Sequence, residues 1–182
     1  FSRETKQEVS KRGLNRLGYF EINPVNNSFV LSSMQVRPTD LYTIKYDNGV
    51  LTEHYESTYH GEYTIGSKNR ITPDGKYIFN NSGSIFTASD DKTADLKFYF
   101  KLDKSFNDVV FDIEKDKFYI AADKNTIYGY NFSTLTVSDT KHTEGKVLDM
   151  YFRDGYIIAV SRAKDNMMII EKIQIGKDPS PT

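Results

Sequence analysis

The chain has no cysteine and no tryptophan among its 182 residues, and only 5 prolines. Without cysteine it forms no disulfide, offers no thiolate to a metal and has no sulfur nucleophile. Lys and Arg total 24 against 25 Asp and Glu, a formal net charge of −1. No field of one sign is therefore available to attract nucleic acid or anionic lipid, and no nucleic-acid partner is expected. No apolar run approaches the ~20 residues of a membrane helix and no signal-peptide pattern is present, so membrane insertion is not expected. A sustained 3.6-residue apolar rhythm is missing as well, which argues against helical repeats. Phe1 in place of an initiating Met reads as the start of a processed or excised piece. Lack of cysteine suits either compartment, though many secreted proteins of Gram-positive bacteria share it, and an extracytoplasmic, bacterial cell-surface or secreted setting is favoured over the cytoplasm.

Aromatic residues are plentiful, with 13 Tyr and 12 Phe, and they sit in short apolar runs separated by polar turns. The clearest unit runs Val109-Val110-Phe111-Asp112-Ile113, then Glu114-Lys115-Asp116, then Phe118-Tyr119-Ile120-Ala121-Ala122, then Thr126-Ile127-Tyr128-Gly129-Tyr130. The same order returns about 40 residues later as Val147 to Phe152, Arg153-Asp154-Gly155, Tyr156 to Val160 and Met167 to Ile170. Aligned first turns fall at Asn27, Gly75, Asp116 and Gly155. A unit of about 40 residues with four short strands is a propeller blade. One four-stranded meander cannot bury both of its faces, so such units stack and cover one another. Asp47-Asn48-Gly49, between Leu41–Tyr46 and Val50–Tyr55, is a tight hairpin turn because Asn and Gly accept positive φ at little cost. Leu96 to Leu102 alternates apolar and polar residues, the pattern of a half-buried strand.

Thr72-Pro73-Asp74-Gly75-Lys76-Tyr77 resembles the Ser-Pro-Asp-Gly-Lys turn of TolB-like, YVTN-type and WD40-like β-propeller blades, and Phe111 to Ala121 resembles the same turn without Pro-Asp-Gly. There is no Trp-Asp pair, no Gly-His start and no Tyr-Val-Thr-Asn run, so the resemblance is to the architecture and names no one family. It implies an all-β chain of about four blades spanning residues 1–176, with 177–182 a tail or linker. Such propellers serve as binding platforms, sugar-binding modules or lactonases. The last unit shows three strands, ending at Ile173-Gln174-Ile175. A strand at Thr5 to Val9, for which a short helix is the alternative, would complete it beside Met167 to Ile173. Either the chain closes on itself as four blades, or it is about half of a propeller of roughly six to eight blades. The second reading is preferred, and it makes self-association, or pairing with further blades, plausible.

Chemistry-bearing residues form few patterns. If the chain stays extended beyond Glu53, His54, Glu56, His60 and Glu62 share one face, and imidazole with carboxylate suits zinc or nickel. The competing expectation is a solvated outer strand with Tyr55, Tyr59 and Tyr63 packed inward. Asp90, Asp91 and Asp95 lack the spacing of a calcium loop and read as a polar surface loop. Arg37, Asp40, Arg70, Asp123, Lys124, Arg162, Lys164 and Asp165 fall mostly between second and third strands, on the face where propeller ligands gather. Their mixed signs suit a polar small molecule, a glycan or a protein loop, unless they are simply solvated turn charges. No Gly-x-Ser-x-Gly turn and no Gly-rich phosphate loop occurs, and no cofactor is expected. The expected function is a non-catalytic module binding a protein or glycan. The alternative is a lactonase- or hydrolase-type propeller enzyme whose site lies at the channel.

Overall fold

The computed structural model describes residues 4, 5, 7, 8, 18–33 and 37–175. Two compact units divide the chain, Phe1–Asp103 and Lys104–Thr182. Each holds two antiparallel sheets whose strands run in sequence order from one edge to the other. The repeated blade-like pattern legible in the sequence is thus present.

In the first unit, β1 (Phe20–Asn23), β2 (Ser28–Ser32), β3 (Leu41–Asp47) and β4 (Val50–Glu56) form one sheet. A second is built from β5 (Asn69–Ile71), β6 (Tyr77–Asn80), β7 (Ser84–Thr87) and β8 (Phe98–Lys101). The turns carry the residues that tolerate left-handed backbone: Asn27 at φ 48°, Asn48 at 47°, Gly49 at 80° and Gly75 at 73°. At the second of the aligned turns, Thr72 organises the bend. Its hydroxyl donates to Asp74 Oδ1 at 2.6 Å and accepts from the N–H groups of Lys76 at 3.2 Å and Tyr77 at 3.1 Å. Burial opposes ionisation of Asp74, but the Thr72 hydroxyl, the Lys76 N–H and the Lys76 charge outweigh it and hold the carboxyl below its ordinary range.

Val30, Leu41 and Tyr55 of the first sheet pack with Ile71, Ile78, Phe86 and Leu96 in one core, with Tyr59 and Tyr63 against it. Tyr63 stacks on Phe98 with ring centroids 3.9 Å apart, and Tyr59 meets Tyr63 edge-on at 4.7 Å. The inward packing expected of Tyr55, Tyr59 and Tyr63 is realised.

The second unit pairs β9 (Asp108–Asp112), β10 (Lys117–Ala122), β11 (Thr126–Asn131) and β12 (Val137–His142), with a 3-10 turn at Ile113–Lys115. Its other sheet is β13 (Lys146–Arg153), β14 (Tyr156–Arg162) and β15 (Met168–Gln174). Val110, Tyr119, Ala121 and Ile127 of the first sheet bury against Val147, Met150, Ile157, Ala159 and Ile175 of the second. On the opposite face of that last sheet Tyr151 is 56% exposed, Met168 57% and Ile170 74%, uncovered among the described residues.

Three sequence expectations are corrected. The last sheet has β15 at its edge, and no strand among the described residues pairs with it. Thr5 lies in a turn and Gln7 and Glu8 in no regular element, so the strand expected at Thr5 to Val9 is not formed there; Lys6 and Val9 lie outside the described residues, as does the tail at 177–182. The alternation from Leu96 to Leu102 is carried into burial except at Phe100. Leu96 and Leu102 are buried and Phe98 packs against the core. But β8 spans only Phe98–Lys101, and with Leu96 at φ 55° and the register shifting between Ile85 and Phe86, Phe100 is left exposed.

Candidate functional site

In the second unit the connection between β10 and β11 meets the segment that enters β9 and the start of β13. Ser105, Phe106 and Asn107 precede β9, Asp123, Lys124 and Asn125 join β10 to β11, Thr126 opens β11, and Lys146 opens β13. These eight residues line one open cavity of about 670 Å³, within the range of small-ligand sites.

The frame of the cavity is tied by backbone and amide groups. Asn107 donates its N–H to the Ala121 carbonyl at 2.8 Å and its side-chain amide to the Val147 carbonyl at 2.9 Å. Asn125 donates its side-chain amide to the Thr143 carbonyl at 3.0 Å, and the Thr143 N–H returns a bond to the Asn125 carbonyl at 3.0 Å. Thr143 Oγ1 then donates to the Gly145 carbonyl at 2.7 Å. A side chain at Gly145 would collide with the Arg162 carbonyl, 2.5 Å from an added Cβ, so this segment sits hard against the end of β14. Asp123 holds φ 56° and its carboxylate accepts a hydrogen bond from Tyr128 OH at 3.0 Å. Lys104 Nζ lies 4.8 Å from the Tyr128 ring centroid.

What the frame leaves at the surface is polar. Asp123, Lys124, Asn125, Ser105 and Lys146 are exposed, Thr126 is half-buried, and Phe106 is buried at 6% beneath them. The lining holds two ammonium groups and one carboxylate, with hydroxyls and amides between them.

The other sequence candidates lie elsewhere. Arg37 is exposed in the connection before β3. Asp40 is buried, with Oδ1 3.5 Å from His60 Nδ1, so it is no solvated rim charge. Arg70 sits on β5 and pairs with Glu21 at 3.6 Å. Arg162 ends β14 opposite Lys146 and Met168. Lys164 and Asp165 are exposed in the next turn, where Asp165 accepts the Met167 N–H at 3.1 Å. Of the eight charged candidates, only Asp123 and Lys124 line the cavity.

His54, Glu56, His60 and Glu62 do not share a face, because β4 stops at Glu56 and the chain bends through Gly61 at φ 106°. Glu56 instead accepts the Tyr42 hydroxyl at 2.7 Å, and His60 lies beside Asp40. Among the described residues no group of three or more His, Asp or Glu could hold a metal ion.

Asp95 departs from its expected place on a polar surface loop. It is 5% exposed, and its Oδ2 accepts the Thr43 hydroxyl at 2.6 Å and the Tyr55 hydroxyl at 2.9 Å. Burial first, then the charge and hydrogen bond of Asp95, push the Tyr55 hydroxyl well above its ordinary range. Asp108 is likewise buried and accepts the Met150 N–H at 2.8 Å, joining β9 to β13. These carboxylates tie one sheet to the next and are structural.

Neither a protein-family model nor a curated protein matches the chain by sequence. Solved structures match it by fold. The RRP9 WD40 repeats align with a TM-score of 0.59 and 9% identity over 87% of this chain and 52% of that one. The computationally designed Ika4 protein aligns at 0.60 and 13% identity, over 93% of this chain and 99% of that one. U3-55K aligns at 0.52 and 10% identity, over 87% and 53%. The chain therefore spans about half the length of the RRP9 and U3-55K chains it matches. At such identities the likeness is one of fold: repeated antiparallel sheets of three or four strands that resemble WD40 or propeller-like blades.

Proposed function

We propose that this chain is a non-catalytic propeller-type binding module that recognises a protein or glycan. The observation that carries this reading is the cavity lined by Ser105, Phe106, Asn107, Asp123 to Thr126 and Lys146. Its frame spends side-chain amides on fixing loops, and its surface presents charges of both signs with hydroxyls, a set made for orienting a polar partner. The reading extends to an extracytoplasmic or cell-surface setting. It also takes the blades as part of a larger ring of roughly six to eight, completed by further blades or by self-association. The half-length matches to the RRP9 repeats and U3-55K support that extension, whereas the match over 99% of Ika4 favours a chain that closes with its own blades.

The test uses Ser105→Trp, which places a bulky ring on the exposed rim and narrows the cavity. Peptide-display and glycan-array selections on the wild-type chain should yield ligands that the variant binds at least about tenfold more weakly, as expected where a bulky group occludes a contact surface. Ligands that bind both proteins equally would place recognition elsewhere and overturn the reading.

A further inference from the structure

We infer that the cavity of the second unit takes an acidic peptide segment, its carboxylates read by Lys124 and Lys146 across the mouth of the pocket. The inference rests on the reading of this cavity as the binding site and adds the chemical class of its ligand.

Charge comes first. The lining carries two ammonium groups and one carboxylate, while the chain as a whole has a formal net charge of −1. A locally positive mouth on a slightly acidic protein selects anions by contrast with its surroundings. The one acidic group, Asp123, accepts the Tyr128 hydroxyl at 3.0 Å and keeps its charge, so the lining as a whole is positive by one. Lys124 and Lys146 are both exposed and have no ion-pair partner among the described residues. Their positions are fixed by different elements, Lys124 by the turn between β10 and β11 and Lys146 by the first residue of β13. The loops beneath both are cross-tied through Asn107 to the Val147 carbonyl and Asn125 to the Thr143 carbonyl. Two cations on separately anchored elements, bordering one cleft, suit spaced carboxylates better than a single point charge.

A glycan is disfavoured by what the cavity lacks as a surface. Sugar rings are held by stacking their C–H faces on an exposed aromatic. The aromatic here is Phe106, only 6% exposed beneath the polar rim. The main-chain amides of a peptide match the rim instead: the Ser105 and Thr126 hydroxyls offer donors and acceptors in the same lining as the lysines.

The experiment is an amide-shift NMR titration of the whole chain with three probes. They are a blocked Gly-Asp-Glu-Glu-Asp-Gly peptide, the same peptide with Asn and Gln for Asp and Glu, and an oligogalacturonate. The acidic peptide should shift the amides of Ser105 to Asn107, Asp123 to Thr126 and Lys146. Lys124→Gln and Lys146→Gln, both at exposed positions, should each weaken it by about fivefold and together by more than about tenfold, with affinity falling as salt rises. The inference is overturned if the neutral peptide binds as well, if the oligogalacturonate binds better, or if the double variant binds unchanged. Where either of those other probes shifts the cavity amides, the binding site stands and only its ligand class falls. If no probe shifts them, the site and the inference fall together.

Discussion

Replacing Asp95 should cost more than replacing any other residue in the loop between β7 and β8. The side chain is 5% exposed and reaches from that loop to the neighbouring sheet. Its Oδ2 accepts the Thr43 and Tyr55 hydroxyls at 2.6 and 2.9 Å, and its Oδ1 accepts the Ser89 N–H at 2.9 Å. Removing a buried carboxylate abandons charge-assisted bonds and strands the donors, each stranded buried group costing about 1–3 kcal/mol. Because Tyr55 and Thr43 are themselves buried, Asp95→Ala is expected to destabilise the first unit by about 3–5 kcal/mol. Tyr55→Phe alone should cost about 1 kcal/mol, and the double variant less than the sum, since one stranded hydroxyl has gone. Urea unfolding followed by tyrosine fluorescence measures this, the chain having 13 Tyr and no Trp to mask them. A loss below about 1 kcal/mol for Asp95→Ala would refute the argument that this carboxylate ties the two sheets.

Three other outcomes are expected. Gly75→Ala should destabilise by about 2–4 kcal/mol, because φ is 73° and a Cβ would lie 2.7 Å from Asn23 Oδ1 and 2.9 Å from Val25 Cβ; Gly155→Ala, at φ 76° but with nothing nearer than 3.7 Å, should cost only about 1 kcal/mol, and thermal unfolding of the pair separates crowding from backbone strain. Burial, then the charges of Asp139 and Asp112, raise the Tyr119 hydroxyl from 10.0 to about 12. The folded state therefore holds a proton that the unfolded state releases, so stability present below pH 10.0 should decline as pH rises toward about 12, and Tyr119→Phe should flatten that decline in denaturation curves taken across the window. Ile170→Lys should leave stability within about 0.5 kcal/mol, since Ile170 is 74% exposed on the open face of the last sheet; a loss above about 1 kcal/mol would mean that something covers that face.

The architecture was legible because it rests on local signals. Turns at Asn27, Asn48-Gly49, Gly75 and Gly155 combine residue types that accept positive φ with flanking apolar runs, and each of them joins two strands. The three strands of the last sheet could also be read, from the runs that end at Ile173-Gln174-Ile175, and three are present among the described residues. The site was legible only in part. Asp123 and Lys124 stood out as turn charges between second and third strands, but Ser105, Asn107 and Lys146 reach the same cavity from other connections. No local pattern announces a contact set by how two sheets stack. The buried carboxylates were missed for a related reason. Asp95 lies among Asp90, Asp91 and Lys92, which are exposed, and only its neighbours across the sheet boundary, Thr43 and Tyr55, distinguish it. Asp40 is the converse, a candidate rim charge that proves to be buried beside His60.

The central claim is that the chain is built from meandering sheets whose strands pair in sequence order. Cross-strand nuclear Overhauser contacts test it most directly. They should join Phe20 to Leu31, Phe29 to Ile44, Ile78 to Phe86, Phe118 to Tyr130 and Ile158 to Lys172. A register displaced by one residue, or strands paired out of sequence order, would contradict the account.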